Sequence, residues 1–171
     1  KNTVASSQPL ATQAGIEILQ NGGNAVDAAL ATAITLTVVE PTMNGLGGDG
    51  FALIWDGKKL HGMNASGRAP AAWTPEYFSG KAAMDLIGWN TVTVPGMVSG
   101  WIELSRKFGK LPFAQLFKRA IDYAENGFPV SPVIARQWRE AIPILKNQPG
   151  FSESFLIDDK APSAGQIWRY P

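Results

Sequence analysis

The chain has 171 residues and a mass of 18.3 kDa, with 45% apolar and 17% charged residues. This composition excludes an intrinsically disordered tail. The length is sufficient for one domain with a substantial core. Fifteen basic and 14 acidic side chains leave a formal net charge of +1, which argues against a general nucleic-acid-binding protein. The absence of cysteine excludes disulfides, thiolate metal sites and a cysteine nucleophile, and a single histidine excludes a multi-histidine metal site within one chain.

Two helices are predicted at the start of the chain. The first ends at Asn21-Gly22-Gly23, a typical helix stop, and the second is predicted over 25–39 with Asn24 as its cap. Almost every position of the second helix is apolar or threonine, so we expect it to be central and covered on all faces. Ala29→Glu or Ala33→Glu is therefore expected to prevent soluble folding, because each places an unpaired charge in the core.

Neither a membrane span nor a signal peptide is expected. The apolar stretch over 25–39 is interrupted by Asp27 and is shorter than the roughly 20 residues that a membrane span needs. The polar segment over 1–6 is too short for a signal peptide. We therefore expect a soluble protein, and the sequence leaves the compartment open between cytoplasmic and periplasmic or secreted.

A glycine-rich loop over 44–50 precedes a predicted β-hairpin. The apolar strand over 51–55 is followed by an Asp56-Gly57 turn and by a partner strand over 59–63. The β-branched run Thr91-Val92-Thr93-Val94 predicts a further short strand.

The second half of the chain is predicted to be mainly helical. Helices are expected over 97–108, over 113–126 and from Pro132 onward, while residues 155–157 fit either a strand or a helix end. No repeat or interior linker is apparent, which predicts a single region over 1–171. The given sequence ends at Trp168-Arg169-Tyr170-Pro171, and no helix or strand is predicted after the two aromatic residues. We therefore expect the polypeptide to continue in nature.

The glycine-rich loop formally matches the dinucleotide-binding pattern G-x-G-x-x-G over residues 45–50. That pattern functions where a strand enters the loop and a helix leaves it, and the predicted order here is the reverse. Nucleotide binding is therefore not expected, no cofactor or metal is predicted, and the loop is interpreted as a structural element that borders a site. His61 lies in a predicted strand and is interpreted as a non-catalytic histidine.

A lone arginine, Arg68, follows the predicted hairpin. It lies between Gly67 and the rigid pair Ala69-Pro70, on a loop that the fold can hold in place. A guanidinium in such a loop can bind a substrate carboxylate through two parallel hydrogen bonds. From spacing alone, a surface arginine or a structural ion pair remains an open alternative.

Five separated segments form a distinctive series along the chain. They are Gly22-Gly23-Asn24-Ala25-Val26-Asp27-Ala28-Ala29, Val38-Val39-Glu40-Pro41, Leu46-Gly47-Gly48-Asp49-Gly50-Phe51, Val94-Pro95-Gly96 with Gly100, and Tyr123-Ala124-Glu125-Asn126-Gly127-Phe128-Pro129-Val130. In this order they resemble segments of the large subunit in the γ-glutamyltransferase, or glutathione hydrolase, family of N-terminal-nucleophile hydrolases. The resemblance extends over essentially the whole chain.

The resemblance implies an α+β fold, the four-layer αββα sandwich of these hydrolases, of which this chain holds only an N-terminal portion. It also implies a precursor that cuts itself before a threonine, which becomes the N-terminal nucleophile of a small subunit with its own amine as base. The chain is then part of a large subunit and contains no catalytic residue. Its implied partners are the rest of the large subunit, the small subunit and a small-molecule γ-glutamyl or glutaryl substrate.

The loop after the hairpin departs from the family pattern. Large subunits of true γ-glutamyltransferases carry an Arg-Glu-x-Ala-Pro motif, whose arginine holds the α-carboxylate of the substrate. Aligning on Ala69-Pro70 puts Ser66 at the arginine position and Gly67 at the glutamate position, with Arg68 two residues after Ser66. Ser66 and Arg68 are the predicted substrate-binding residues, and the form of the motif is more similar to the acylase-like or hydrolase-like branch.

The main interpretation is a fragment of a γ-glutamyltransferase-like threonine hydrolase. The full enzyme is expected to cleave γ-glutamyl or similar amide bonds through an acyl-enzyme and to pass the acyl group to water or an amine. An acylase or amidase for glutaryl-type substrates is one alternative, and a non-catalytic binding or scaffold module is another. Exposed apolar surface favours the fragment, whereas a fully covered fold favours the module. No nucleic acid or membrane partner is expected.

Overall fold

Residues 2–170 are described by this computed structural model, and they form six α-helices and four β-strands. The helices are α1 (Pro9–Gln20), α2 (Ala25–Val39), α3 (Met97–Phe108), α4 (Lys118–Asn126), α5 (Pro132–Leu145) and α6 (Phe151–Phe155). The strands are β1 (Gly50–Trp55), β2 (Leu60–Ala65), β3 (Phe128–Pro129) and β4 (Ile167–Trp168). Two compact units result, one from residues 2–45 with 108–170 and the other from residues 46–107.

Most predicted elements are confirmed, and two are corrected. The helix predicted over 113–126 begins with a 3₁₀ segment over Phe113–Phe117, and only Lys118–Asn126 is α-helical. The strand predicted over 91–94 is wrong, because residues Trp89–Thr91 form a 3₁₀ turn and Val94 makes a single bridge to Arg68. The β-branched run finds no strand to pair with among the described residues, so its propensity alone does not produce a ladder.

The start of α2 is fixed by a reciprocal cap. Asn24 Oδ1 accepts hydrogen bonds from the N–H groups of Val26 and Asp27 at 2.9 and 3.0 Å, and Asp27 Oδ2 accepts one from the Asn24 N–H at 2.9 Å. The fully buried Asp27 carboxylate also accepts the N–H groups of Lys110 and Leu111, at 3.0 and 3.3 Å. One short acidic side chain therefore caps its own helix and holds the segment that follows α3.

The faces of α2 are not all covered, contrary to the expectation from its composition. Ala28 and Ala31 are buried, whereas Ala29 is exposed and Ala33 is only half-buried. Within this unit α2 packs against α1, the 3₁₀ segment and α4, which leaves part of its circumference without a neighbour. The expectation that Ala29→Glu places a charge in the core is therefore wrong for the described residues.

The hydrophobic core of the same unit joins α5 to Ala11 of α1 and Val39 of α2. Trp138 is almost fully buried, packs edge to face against Trp168 with 4.9 Å between ring centroids, and donates its Nε1–H to the Phe155 carbonyl at 2.8 Å. Phe128 pairs with Trp168 across β3 and β4. The aromatic residues near the end of the sequence are therefore core residues that join α5 to the short β3–β4 ladder.

The hairpin of β1 and β2 has one uncovered apolar face. The strands are antiparallel, with Gly50 opposite Ala65 and Trp55 opposite Leu60. Phe51, Leu53, Trp55 and Leu60 share a face and are between 57% and 77% exposed. A two-stranded hairpin is at best marginally stable in water, so a face of this kind is typical of a sheet that is completed by further chain.

No helix formed by the described part of the chain is long and apolar enough to cross a membrane.

Candidate functional site

The loop that carries Ser66 and Arg68 is held by a neighbouring extended segment. The Val94 N–H donates to the Arg68 carbonyl at 2.9 Å, and Thr93 Oγ1 donates to the Ser66 carbonyl at 3.1 Å. The Ser66 N–H donates to Asn64 Oδ1 at 2.9 Å, an Asx-type turn at the end of β2. The loop backbone is therefore positioned by three hydrogen bonds, two of which come from residues about 26 positions later in the sequence.

Two glycines make this close approach possible. Gly67 has φ +78°, and a Cβ added there would lie 2.0 Å from the Val94 carbonyl oxygen. A Cβ added at Gly96 would lie 2.3 Å from the Ala65 carbonyl oxygen. Neither position can accept a side chain without moving backbone, so the loop and the start of α3 require glycine where they meet.

The glycine-rich loop over 44–50 supports the start of α3. The Gly48 carbonyl accepts the N–H groups of Gly96 and Met97, at 3.2 and 3.1 Å. A carbonyl oxygen therefore occupies donors that a phosphate would need at a helix N-terminus. This geometry agrees with the structural role that the order of elements indicated for the loop.

A cleft of about 630 Å³ opens beside the loop, between the end of β2 and the first turns of α3. Its polar lining consists of Asn64, Ser66, Arg68, Ser99 and Glu103. Arg68 is exposed, and its guanidinium makes no ion pair or hydrogen bond with any other residue of the described range. Both predicted substrate-binding residues therefore line one cleft, and an unpaired cation is available there for an anionic ligand.

Ser99 and Glu103 are lining residues that the sequence analysis did not identify. Counted from Gly96, they follow at intervals of three and seven residues, so a helical projection of α3 places them on one face. Glu103 is exposed and pairs with Arg106 at 2.9 Å, while Ser99 Oγ donates to the Gly96 carbonyl at 2.7 Å. The sequence spacing of Ser99 and Glu103 shows that they share a helix face, but nothing in the sequence shows that this face borders the Arg68 loop.

His61 lies at the opposite end of the hairpin from the cleft-lining residue Asn64. Its Nε2 is 2.7 Å from Asp56 Oδ2, and Asp56 Oδ1 accepts the N–H groups of Lys58 and Lys59 in the turn. The hydrogen bond with His61, followed by those from Lys59 and Lys58, lowers the pKa of Asp56 to about 2. His61 thus closes a hairpin turn.

Known proteins define the class to which this arrangement belongs. The structure superposes on a cephalosporin acylase from Bacillus halodurans with a TM-score of 0.89 and 48% identity, covering 97% of this chain and 33% of that one. The chain has the fold of N-terminal-nucleophile hydrolases of the acylase and γ-glutamyltranspeptidase type, and it carries part of that fold.

The family model for gamma-glutamyltranspeptidase matches residues 11–171, and the chain belongs to this family. It is 41% identical over 169 residues to the glutathione hydrolase-like YwrD proenzyme of Bacillus subtilis, covering 97% of this chain and 32% of that protein. It is 42% identical over 170 residues to the oxamate amidohydrolase proenzyme of Klebsiella pneumoniae, covering 95% of this chain and 32% of that protein. The chain therefore spans about a third of the length of these relatives.

Proposed function

We propose that this chain is the N-terminal part of the large subunit of a γ-glutamyltransferase-like threonine hydrolase. The full enzyme cleaves γ-glutamyl or similar amide bonds through an acyl-enzyme and transfers the acyl group to water or an amine. In this proposal the chain supplies part of the substrate site, through Ser66 and Arg68, and the nucleophile comes from the rest of the precursor. The family match over residues 11–171 is the observation that carries the proposal.

The rest of the precursor is the proposed partner of this chain. Both relatives named above are proenzymes, and each is about three times as long as the part that this chain matches. The apolar hairpin face of Phe51, Leu53, Trp55 and Leu60 is exposed, as expected for surface that further chain covers. The same exposed face argues against a stand-alone binding module, which would cover it within its own fold.

A glutaryl-type acylase or amidase is the second candidate, and the Arg68 loop favours it. Ser66 stands where the γ-glutamyl-specific motif has arginine, and the Arg68 guanidinium, which pairs with no residue of the described range, is two residues further on. A shifted cation can still bind a terminal carboxylate, but a donor without an α-amino group then fits as well as a γ-glutamyl donor. The similarity to a cephalosporin acylase and to an oxamate amidohydrolase supports this alternative.

Three matched anilides separate the two candidates. The full-length, self-processed protein is assayed with γ-glutamyl, glutaryl and butyryl p-nitroanilide, which differ only in the α-amino group and the terminal carboxylate. The main proposal expects the highest kcat/KM for the γ-glutamyl donor, and the alternative expects it for the glutaryl donor. Both expect the butyryl donor, which has no carboxylate, to be poorest. Processed protein that cleaves none of these and no other amide would contradict the proposed activity.

The chain of 171 residues by itself is expected to have no amidase activity, because the proposed nucleophile lies outside it. The measurement is p-nitroaniline release from the γ-glutamyl donor by purified fragment that contains no full-length enzyme. The matched control is the self-processed full-length protein at equal molar concentration. Turnover by the fragment above the uncatalysed rate would show that its own residues perform the chemistry.

A further inference from the structure

Thr93 contacts the Arg68 loop from a distant part of the sequence. It is half-buried, lies shortly before α3, and donates its Oγ1–H to the Ser66 carbonyl at 3.1 Å. The next residue, Val94, donates its N–H to the Arg68 carbonyl at 2.9 Å. The two bonds therefore hold the loop on both sides of Gly67.

The Arg68 guanidinium has no partner of its own among residues 2–170, and its side chain is exposed. No hydrogen bond or ion pair to a described residue therefore fixes its position, so the position depends on the loop backbone. Gly67, at φ +78° and in close approach to Val94, allows the loop many other conformations once the Thr93 and Val94 contacts are released. The Asn64 turn holds only the start of the loop, at the Ser66 N–H, so the position of the cation depends mainly on the Thr93 and Val94 contacts on either side of Gly67.

We propose that Thr93 is a positioning residue for substrate binding, acting through the loop of Ser66, Gly67 and Arg68. The inference rests on the proposed function, in which this loop binds the carboxylate of the acyl donor. A loop that occupies its binding conformation only part of the time lowers the apparent affinity by that fraction. The Thr93 hydroxyl keeps the fraction high through its hydrogen bond to the Ser66 carbonyl.

The test compares three single variants of the full-length, self-processed protein. Thr93→Val removes the hydroxyl at nearly constant volume and is expected to raise KM for the preferred carboxylate donor about three- to tenfold, with kcat within twofold of wild type. Thr93→Ser keeps the hydroxyl and is expected to behave as wild type. Thr91→Val is the matched control, since the Thr91 hydroxyl donates to the Gly88 carbonyl at 2.8 Å and not to the loop.

A double variant tests whether Thr93 affects KM through the loop that carries Arg68. If Thr93 acts through the loop that presents Arg68, Thr93→Val adds no further rise in KM in the Arg68→Ala background. An equal rise in both backgrounds, a wild-type KM for Thr93→Val, or the same rise for Thr91→Val overturns the proposal. Thr93→Ala is a second variant that lacks the hydroxyl, for use if Thr93→Val does not mature. Failure of both variants to mature also overturns the proposal, because the hydroxyl would then be required for folding.

Hydrogen exchange of the full-length protein provides a readout that does not depend on activity. Peptides covering residues 64–70 are expected to exchange faster in Thr93→Val than in wild type, Thr93→Ser or Thr91→Val. Unchanged exchange overturns the positioning role whether or not a substrate is found. Faster exchange in a protein that cleaves none of the amides would instead contradict the proposed function and leave the loop contact intact.

Discussion

Asp27→Asn is expected to lower the soluble yield of the full-length protein and to reduce its apparent melting temperature by about 10 °C. The buried carboxylate accepts the N–H groups of Asn24, Lys110 and Leu111 on Oδ2 and that of Lys110 also on Oδ1. An asparagine that keeps its oxygen at the Oδ2 position therefore turns its amide nitrogen toward the Lys110 N–H, and the hydrogen bonds it keeps are no longer charge-assisted. A donor that faces a donor in the interior and the loss of charge-assisted hydrogen bonding cost about 1–3 kcal/mol each, so the expected loss is about 2–6 kcal/mol. That loss is a large part of a typical domain's stability of about 5–15 kcal/mol.

The measurement is a thermal scan with the soluble fraction recorded in parallel. Glu125→Gln is the matched control, because Glu125 is an exposed carboxylate on α4 and its neutralisation is expected to change stability by less than about 0.5 kcal/mol. Asp27→Ala should be at least as destabilising as Asp27→Asn, because it removes both oxygens. An Asp27→Asn protein with the wild-type melting temperature would show that the cap and the contact with residues 110–111 contribute little.

Arg68→Ala is expected to lower kcat/KM for the preferred carboxylate donor roughly ten- to a hundredfold. The guanidinium is exposed in the cleft, and a charge-assisted bidentate contact of about 1.5–3 kcal/mol is lost with it, at about 1.4 kcal/mol per tenfold. Arg68→Lys should recover little of this loss, because an ammonium cannot reproduce the planar pair of donors. The assay uses self-processed protein, so that a processing defect is not read as a binding defect.

Two comparisons make the Arg68 result specific. The butyryl anilide has no carboxylate, so its kcat/KM should be the same in Arg68→Ala and in wild type. Arg136→Ala removes an exposed arginine of α5, whose nearest carboxylate oxygen on Glu140 is 4.0 Å away, and should leave all three donors unaffected. An Arg68→Ala protein that matures normally and keeps full kcat/KM on every carboxylate donor would make Arg68 a structural residue.

Local patterns identified most elements because local chemistry forms them. The Asn24 cap, the Asp56-Gly57 turn and the glycine stop after α1 each act over a few residues, and the structure has α2, the hairpin and the end of α1 where they indicated. The strand expected over 91–94 is absent because a strand depends on a partner elsewhere in the chain and not on local chemistry. A strand exists only through a partner, and β-branched composition gives no information about whether one is near.

Burial was the least predictable property. The composition of α2 indicated a helix covered all round, yet Ala29 is exposed while Asp27, its most polar residue, is fully buried. Composition shows that a helix can be buried on every face. Which faces are covered depends on where the neighbouring elements pack against it. Asp27 could be buried because backbone donors from residues 110–111, distant in the sequence, satisfy its charge.

The sequence by itself determined most of the helices, the hairpin, the family and the loop on which Ser66 and Arg68 lie, since each is encoded in short runs of residues. Only the tertiary structure decided what holds that loop and what shares its cleft. The contacts from Thr93 and Val94, the two glycines without room for a side chain, and the lining by Ser99 and Glu103 join residues far apart in the chain. Such contacts follow from how helices and strands pack, and no local pattern records them.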